Sequence, residues 1–154
     1  MFKKMRRKDK ALAEDQIIEV LNAGEEGVLA TVGEDGYPYA VPLNYVFHNG
    51  CIYFHCALSG HKIENMEYNP KVSFCVVSGA KILAEEFSTR FKSVVVFGRA
   101  EEVLGDEKNL GLRALIKRLA KDHVPAGEKY IEQARDKTRV FKIRVEHMSG
   151  KTAH

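Results

Sequence analysis

Two glycine-containing dipeptides constrain this chain more than any other feature of its sequence. Asp35-Gly36 closes the β-prone run Val28-Leu29-Ala30-Thr31-Val32, and His48-Asn49-Gly50 closes a second run from Tyr37 to Phe47. Asp-Gly and Asn-Gly between apolar runs are strong hairpin signals, because tight turns need positive φ, which glycine and asparagine adopt at low steric cost. With Cys51-Ile52-Tyr53-Phe54-His55-Cys56 as a third run, the pattern predicts three strands joined by two tight turns, an antiparallel meander.

Around this meander the spacing of apolar residues predicts the remaining elements. Glu14 to Leu21 reads as a short helix with Ile17, Ile18 and Leu21 on one face, two acids in its opening turn and Gly24 as its stop. A second helix starts at Ser59, which serves as its cap, carries Ile63 and Met66 on one face and ends before Asn69-Pro70. Val72 to Val77 is a strand, residues 79–91 are an irregular loop, and Ser93 to Ala100 is a strand continuing towards Val103. The last of these lacks alternation, so both of its faces are expected to be covered. Asp106 to Lys121 is a helix with Leu110, Ala114, Ile116 and Leu119 as its apolar stripe, Gly127 to Arg135 is a further short helix, and Val140 to Val145 is the final strand. Six mainly antiparallel strands with flanking helices indicate an α+β fold built on a β-barrel, since closure removes the exposed edges of such strands.

Length and charge narrow the classes of function. A chain of 154 residues, 45% hydrophobic, suits a single domain over residues 1–154. The formal charge is +3, but residues 1–10 hold Lys3, Lys4, Arg6, Arg7, Lys8 and Lys10 against Asp9, a net +5, so the rest of the chain totals −2. The body is not a basic surface and no nucleic-acid partner is expected; the leader over residues 1–10 reads as a solvated arm packing its aliphatic stems on the body. No stretch reaches the roughly 18 apolar residues of a membrane span, and the basic start lacks the apolar run of a signal peptide, so the expected location is cytoplasmic. Cys51, Cys56 and Cys75 are an odd number without a CxxC pair or a histidine at zinc spacing, which predicts reduced thiols, no disulfide and no metal.

There is no GxGxxG after a strand and no Walker-type loop. A phosphate would need another device, and Ser59-Gly60-His61-Lys62 offers one. A helix start presents free backbone N–H groups and a partial positive charge, here with a hydroxyl, an imidazole and an ammonium. The competing reading makes Lys62 a solvated lysine and His61 an ordinary first-turn residue. His48, His123, His147 and His154 read as solvated, and His55 as either a structural or a functional strand histidine. Tyr37, Tyr39 and Tyr45 share one strand face, lining a ligand or half-burying a barrel wall. Cys56 and Cys75 read as small buried apolar residues.

The stretch Gly36-Tyr37-Pro38-Tyr39-Ala40-Val41-Pro42-Leu43-Asn44-Tyr45, followed by Ile52-Tyr53-Phe54-His55-Cys56 and then His61-Lys62, resembles the flavin-binding half of the pyridoxamine 5′-phosphate oxidase-like split-barrel family. Gly27-Val28-Leu29-Ala30-Thr31, Tyr53-Phe54-His55-Cys56-Ala57, Gly60-His61-Lys62 and Asn69-Pro70-Lys71-Val72-Ser73-Phe74 are similar to its nitroimidazole-resistance branch. The likeness runs from about Met5 to Gly150. It implies a six-stranded, mainly antiparallel split β-barrel with flanking helices, forming a homodimer that holds FMN, or alternatively FAD, between its subunits.

The resemblance also implies roles. The main chain of Val41, Pro42, Leu43, Asn44 and Tyr45 would hydrogen-bond the polar edge of the isoalloxazine, and His55 and Cys56 would flank the ribityl and phosphate end. His61 and Lys62 fall where the family carries an Arg-Lys pair for the phosphate, so a bidentate fork is replaced by an imidazole. Ser93 falls where the oxidases place a glutamine reaching the flavin from the partner subunit. Pro42 within the flavin strand marks an irregular position or one without a neighbouring strand. The implied activity is an NAD(P)H-linked reduction of small molecules such as nitroimidazoles and other nitroaromatics. Flavin chemistry of this kind demands no side-chain nucleophile, and no catalytic residue is singled out. A non-catalytic flavin- or haem-binding module is the alternative. Pyridoxamine 5′-phosphate oxidation is less favoured, because the chain contains no Trp and no matching Arg motif near its end.

Overall fold

A computed structural model describes residues 1–153; the expectation for His154 lies outside the described residues. Seven strands, not six, form one antiparallel sheet: β1 (Glu26–Val32), β2 (Pro38–Asn44), β3 (Val46–His48), β4 (Cys51–Cys56), β5 (Lys71–Leu83), β6 (Ser88–Val103) and β7 (Arg139–Ala153). Their order is β2-β1-β5-β6-β7-β4-β3. The two end strands, β2 and β3, are consecutive in sequence and separated by Tyr45 alone, so the sheet curls until its ends share one continuous stretch of chain. The count differs from expectation because the run read as one strand over Tyr37–Phe47 changes partner at Tyr45. Its first half pairs with β1 and its second with β4, so the expected meander opens into two hairpins at opposite ends of the sheet.

Tyr45 makes the break because its groups are committed elsewhere. It is fully buried, its hydroxyl donates to the Leu21 carbonyl at 2.7 Å, and its N–H donates to Glu25 O at 3.2 Å. Burial pushes its phenol up to about 12. The hairpins behave as the turn residues require: Asn49 and Gly50 both have positive φ, 50° and 74°, as a primed two-residue turn demands. The β1–β2 connection is longer, running over residues 33–37, with Gly36 N–H bonded to Gly33 O at 3.0 Å.

Residues 79–91 are not an irregular loop but the distal part of the β5–β6 hairpin. A register shift between Ser78 and Lys81, at Gly79 with φ 64°, lets the ladder resume from Lys81↔Arg90 to Leu83↔Ser88. The sequence hides this arm because neither of its faces is buried, as Ile82 (77% exposed) and Phe87 (98%) show. Without a covered face nothing imposes alternation.

The barrel interior is filled by Leu29, Ile52, Phe54, Phe74, Val76, Val94, Val96 and Ile143, none of them exposed. Helix α1 (Glu14–Ala23) closes one end, burying Ile17, Val20 and Leu21; Val20 takes the place expected for Ile18. Gly24 ends it at φ −72°, and a Cβ there would collide with the Tyr45 hydroxyl. A second layer, α3 (Gly105–Leu119) and α4 (Val124–Ala134), covers the outer side of β4 and the start of β7. Leu112, Leu115 and Ile131 pack there on Val46, Tyr53 and Val140. The expected stripe of α3 is rotated: Leu110 and Leu119 are each 37% exposed, and Gly111 lies against Tyr53 and Val140. A glycine at the closest approach carries no apolar signal, which is why the pattern misplaced the buried face.

Along β6 burial alternates after all. Val94, Val96 and Ala100 point inward, whereas Val95 is half-buried and Phe97 is 39% exposed on the outer face. Part of that face is covered by the leader, where the Phe2 ring stacks on Phe97 and His147 with centroids 5.3 and 5.0 Å away. No helix among the described residues is long and apolar enough to cross a membrane.

Candidate functional site

The change of partner at Tyr45 opens a cleft in the hydrogen-bonded ladder, between β2 and the later part of β4. β3 pairs with β4 from Val46↔Tyr53 to His48↔Cys51, whereas no ladder among the described residues joins β2 to the later part of β4. One lip is therefore Val41 to Asn44, and the other is His55 and Cys56. Because β2 ends the sheet, every second backbone N–H and C=O along it lacks a strand partner, which is the hydrogen-bonding capacity an edge strand offers a ligand. Pro42 fits this location: it lies opposite Val28 on the edge strand, where its missing N–H costs least. Val41 and Leu43 turn toward the barrel core, and Pro42 and Asn44 face solvent. The Asn44 amide nitrogen donates to Glu25 O at 3.1 Å. Of the three tyrosines expected on one strand face, only Tyr39 lies within β2; Tyr37 precedes the strand and is 76% exposed, and Tyr45 follows it and is fully buried.

On the other lip, strand alternation separates two residues expected to act together. His55 is exposed on the outer side, while Cys56 is buried with its Sγ 3.7 Å from Arg139 O. Surrounding protein holds the His55 imidazole below its ordinary value by desolvation, and burial raises the Cys56 thiol, opposed by the charge of nearby Lys62.

At the end of the cleft stands α2 (His61–Tyr68). It begins without a side-chain cap, so Ser59 does not cap it. Its position is fixed by the buried Asn65, whose amide donates to Thr31 Oγ1 at 3.0 Å. The His61 ring stacks on Tyr39 with centroids 3.9 Å apart, connecting the helix start to β2. His61 also shares a cavity of about 360 Å3 with Glu34, Asp35 and Glu64. Lys62 is half-buried on the Cys56 side. Ser93 lies elsewhere: it sits in β6 between Val77 and Lys151, three strands from β2 in the sheet order.

Arg139, at the start of β7, has no signal in the sequence pattern. Its guanidinium grips Glu102 bidentately at 2.8 and 3.0 Å, bonds Glu67 of α2 at 3.1 Å and donates to the Leu58 carbonyl at 3.4 Å. It also sits 5.3 Å from the Phe141 ring centre. These contacts hold the Glu102 carboxyl below its ordinary value and tie α2, with the loop before it, to the sheet. A lone arginine beside a strand carries no pattern; its meaning comes from Leu58, Glu67 and Glu102 converging from distant parts of the chain. Among the described residues no cluster of three or more His, Cys, Asp or Glu is placed to hold a metal.

Residues 13–152 match the family model of pyridoxamine 5′-phosphate oxidase. An uncharacterized protein of Rhizobium meliloti is 33% identical over 94 residues, 61% of this chain and 57% of its own length, so the match spans little more than half of that curated relative. A FAD-binding protein of Mesorhizobium loti is 31% identical in its solved structure, with a TM-score of 0.66, covering 94% of this chain and 98% of that one. The fold also recurs in a candidate 5-nitroimidazole antibiotic resistance protein of Bacteroides thetaiotaomicron (24% identity, TM-score 0.76, 92% and 86% covered). It recurs again in a FAD and haem binding protein of Mycobacterium smegmatis (18% identity, TM-score 0.79, 94% and 74% covered).

Proposed function

Since the chain belongs to the pyridoxamine 5′-phosphate oxidase family, we propose that it is an FMN-binding homodimer that reduces small nitro compounds such as nitroimidazoles with electrons from NADH or NADPH. The observation that carries this reading is the edge strand β2, whose unpartnered backbone lies beside a helix start bearing a half-buried cation. Such a set of groups fits a flavin: the free main-chain edge of Val41 to Asn44 meets the ring's polar edge, Tyr45 N–H being already bonded to Glu25 O, and Lys62 with the first N–H groups of α2 holds the phosphate. His61, stacked on Tyr39 and bordered by three carboxylates, orients the helix start and leaves the charge pairing to Lys62. A bound flavin would supply hydride and electron transfer, and the chain would bind, orient and shield it.

The dimer rests on the outer face of the sheet. Val28, Cys75 and Val95 lie in one cross-strand row with Pro42, and Val77 and Phe97 adjoin it. Within one chain this face is only partly covered; Val28 is 41% exposed and Val77 56%. A second copy would complete the two-sided coverage that the composition of β6 calls for, and would bring its Ser93 towards the first copy's cleft. Val95→Glu is expected to yield a folded monomer with weakened flavin binding, checked by sedimentation velocity with flavin absorbance. A dimeric Val95→Glu chain, or a monomeric parent chain, would count against this interface.

Reductase function is tested by bleaching of the bound flavin with NADH or NADPH under anaerobic conditions and its re-oxidation by a nitroimidazole. A flavin that stays oxidised with both nucleotides favours the second reading, a flavin- or haem-binding module without turnover. That reading draws support from the fold shared with the FAD and haem binding protein. FAD in place of FMN is favoured by the FAD-binding relative. Bleaching by pyridoxamine 5′-phosphate would instead restore the oxidase reaction.

A further inference from the structure

A cavity of about 400 Å3 lies between α3, α4 and the outer side of β4, meeting the proposed flavin contacts at one residue, His55. Its size falls within the roughly 300–1,000 Å3 of small-molecule sites. Leu115 and Leu119 form its α3 wall, Ala126 and Tyr130 its α4 wall, and His55 and His123 place an imidazole each on its boundary. No carboxylate, ammonium or guanidinium is among the described residues lining it. A charged ligand would lose hydration there without an ion pair in return, so the lining selects a neutral molecule.

The space is a shaped gap. Beside it the two helices are in close contact, since a Cβ on Gly127 would collide with Ile116. The walls nevertheless remain partly open: Leu119 is 37% exposed and Tyr130 47%, against 2% for Leu115 below them. We propose that this cavity is a second ligand site, taking a neutral, largely apolar small molecule whose polar group bonds to His55 or His123. Its concavity suits a small molecule, whereas the broad face of β1, β5 and β6 suits a second copy of the chain.

The test is a titration of the purified chain, without added flavin, with N-phenyl-1-naphthylamine, a neutral probe that fluoresces on entering apolar surroundings. Saturable binding at one site per chain is expected. Ala126→Phe on α4 and Ala120→Leu just past the end of α3, which fill the cavity from two sides, should each weaken it at least tenfold with thermal unfolding unchanged. Leu104→Phe, at an exposed position outside the lining, should leave it intact. Non-saturable binding, or affinity unmoved by both filling variants, would overturn the proposal. So would chain association abolished by those variants, which would assign the cavity to a second copy, or a Soret band with added haemin that His55→Ala and His123→Ala both remove. Because no flavin is present, failure of FMN binding in a separate titration would refute the flavin reading and leave this result standing.

Discussion

Lys62→Ala is expected to weaken FMN binding about 10- to 150-fold, the loss of about 1.5–3 kcal/mol that accompanies removal of one charge-assisted hydrogen bond. The effect should be confined to the phosphate end. Riboflavin, which has no phosphate, should bind the variant and the parent chain alike, because the edge of β2 is untouched. Lys62 is half-buried and its charge acts on Cys56, so the residue is held beside the proposed phosphate position. Equal FMN affinity in the variant would remove Lys62 from the site. Equal losses for FMN and riboflavin would mean that the substitution had disturbed the cleft as a whole.

Tyr45→Ala should produce the largest stability change of any single substitution considered. Truncating a fully buried aromatic costs about 3–5 kcal/mol through lost burial and the cavity left behind. Leaving the Leu21 carbonyl without its 2.7 Å donor adds roughly 1–3 kcal/mol. Against the about 5–15 kcal/mol that holds a typical domain folded, the variant should be close to unfolding at 25 °C. Tyr45→Phe keeps the ring against Phe74, 5.1 Å away in an edge-on contact, and should lose only the hydrogen-bond part. Urea denaturation of the two variants separates the contributions. A Tyr45→Ala chain within about 1 kcal/mol of its parent would show that the partner change does not depend on this side chain.

The same residue shows what the sequence could and could not disclose. The turns at Asp35-Gly36 and Asn49-Gly50 were legible because positive φ is a local demand that glycine and asparagine meet. The strand break at Tyr45 was not, since a tyrosine in a β-prone run looks like any other half-buried strand residue until Leu21 is placed beside its hydroxyl. The edge position of Pro42 was legible through its missing N–H. What resemblance could not supply was the facing of each side chain: alternation sends His55 and Cys56 to opposite sides of β4, and the acidic surroundings of His61 come from the β1–β2 turn. Arg139 was invisible for the same reason, its three partners lying 37, 72 and 81 residues away in the chain. Ser93 was identified at a position that one chain cannot bring to the cleft, which turns a sequence match into a claim about assembly.

The claim on which the rest depends is that the β2–β4 cleft holds a flavin, and titration of the purified chain with FMN and with FAD, followed by absorption and fluorescence, tests it most directly. A saturable spectral shift with quenched fluorescence, reaching one flavin per chain and weakened for FMN in Lys62→Ala, is the result this account requires. Binding of neither flavin, or stoichiometric binding indifferent to Lys62, would contradict it.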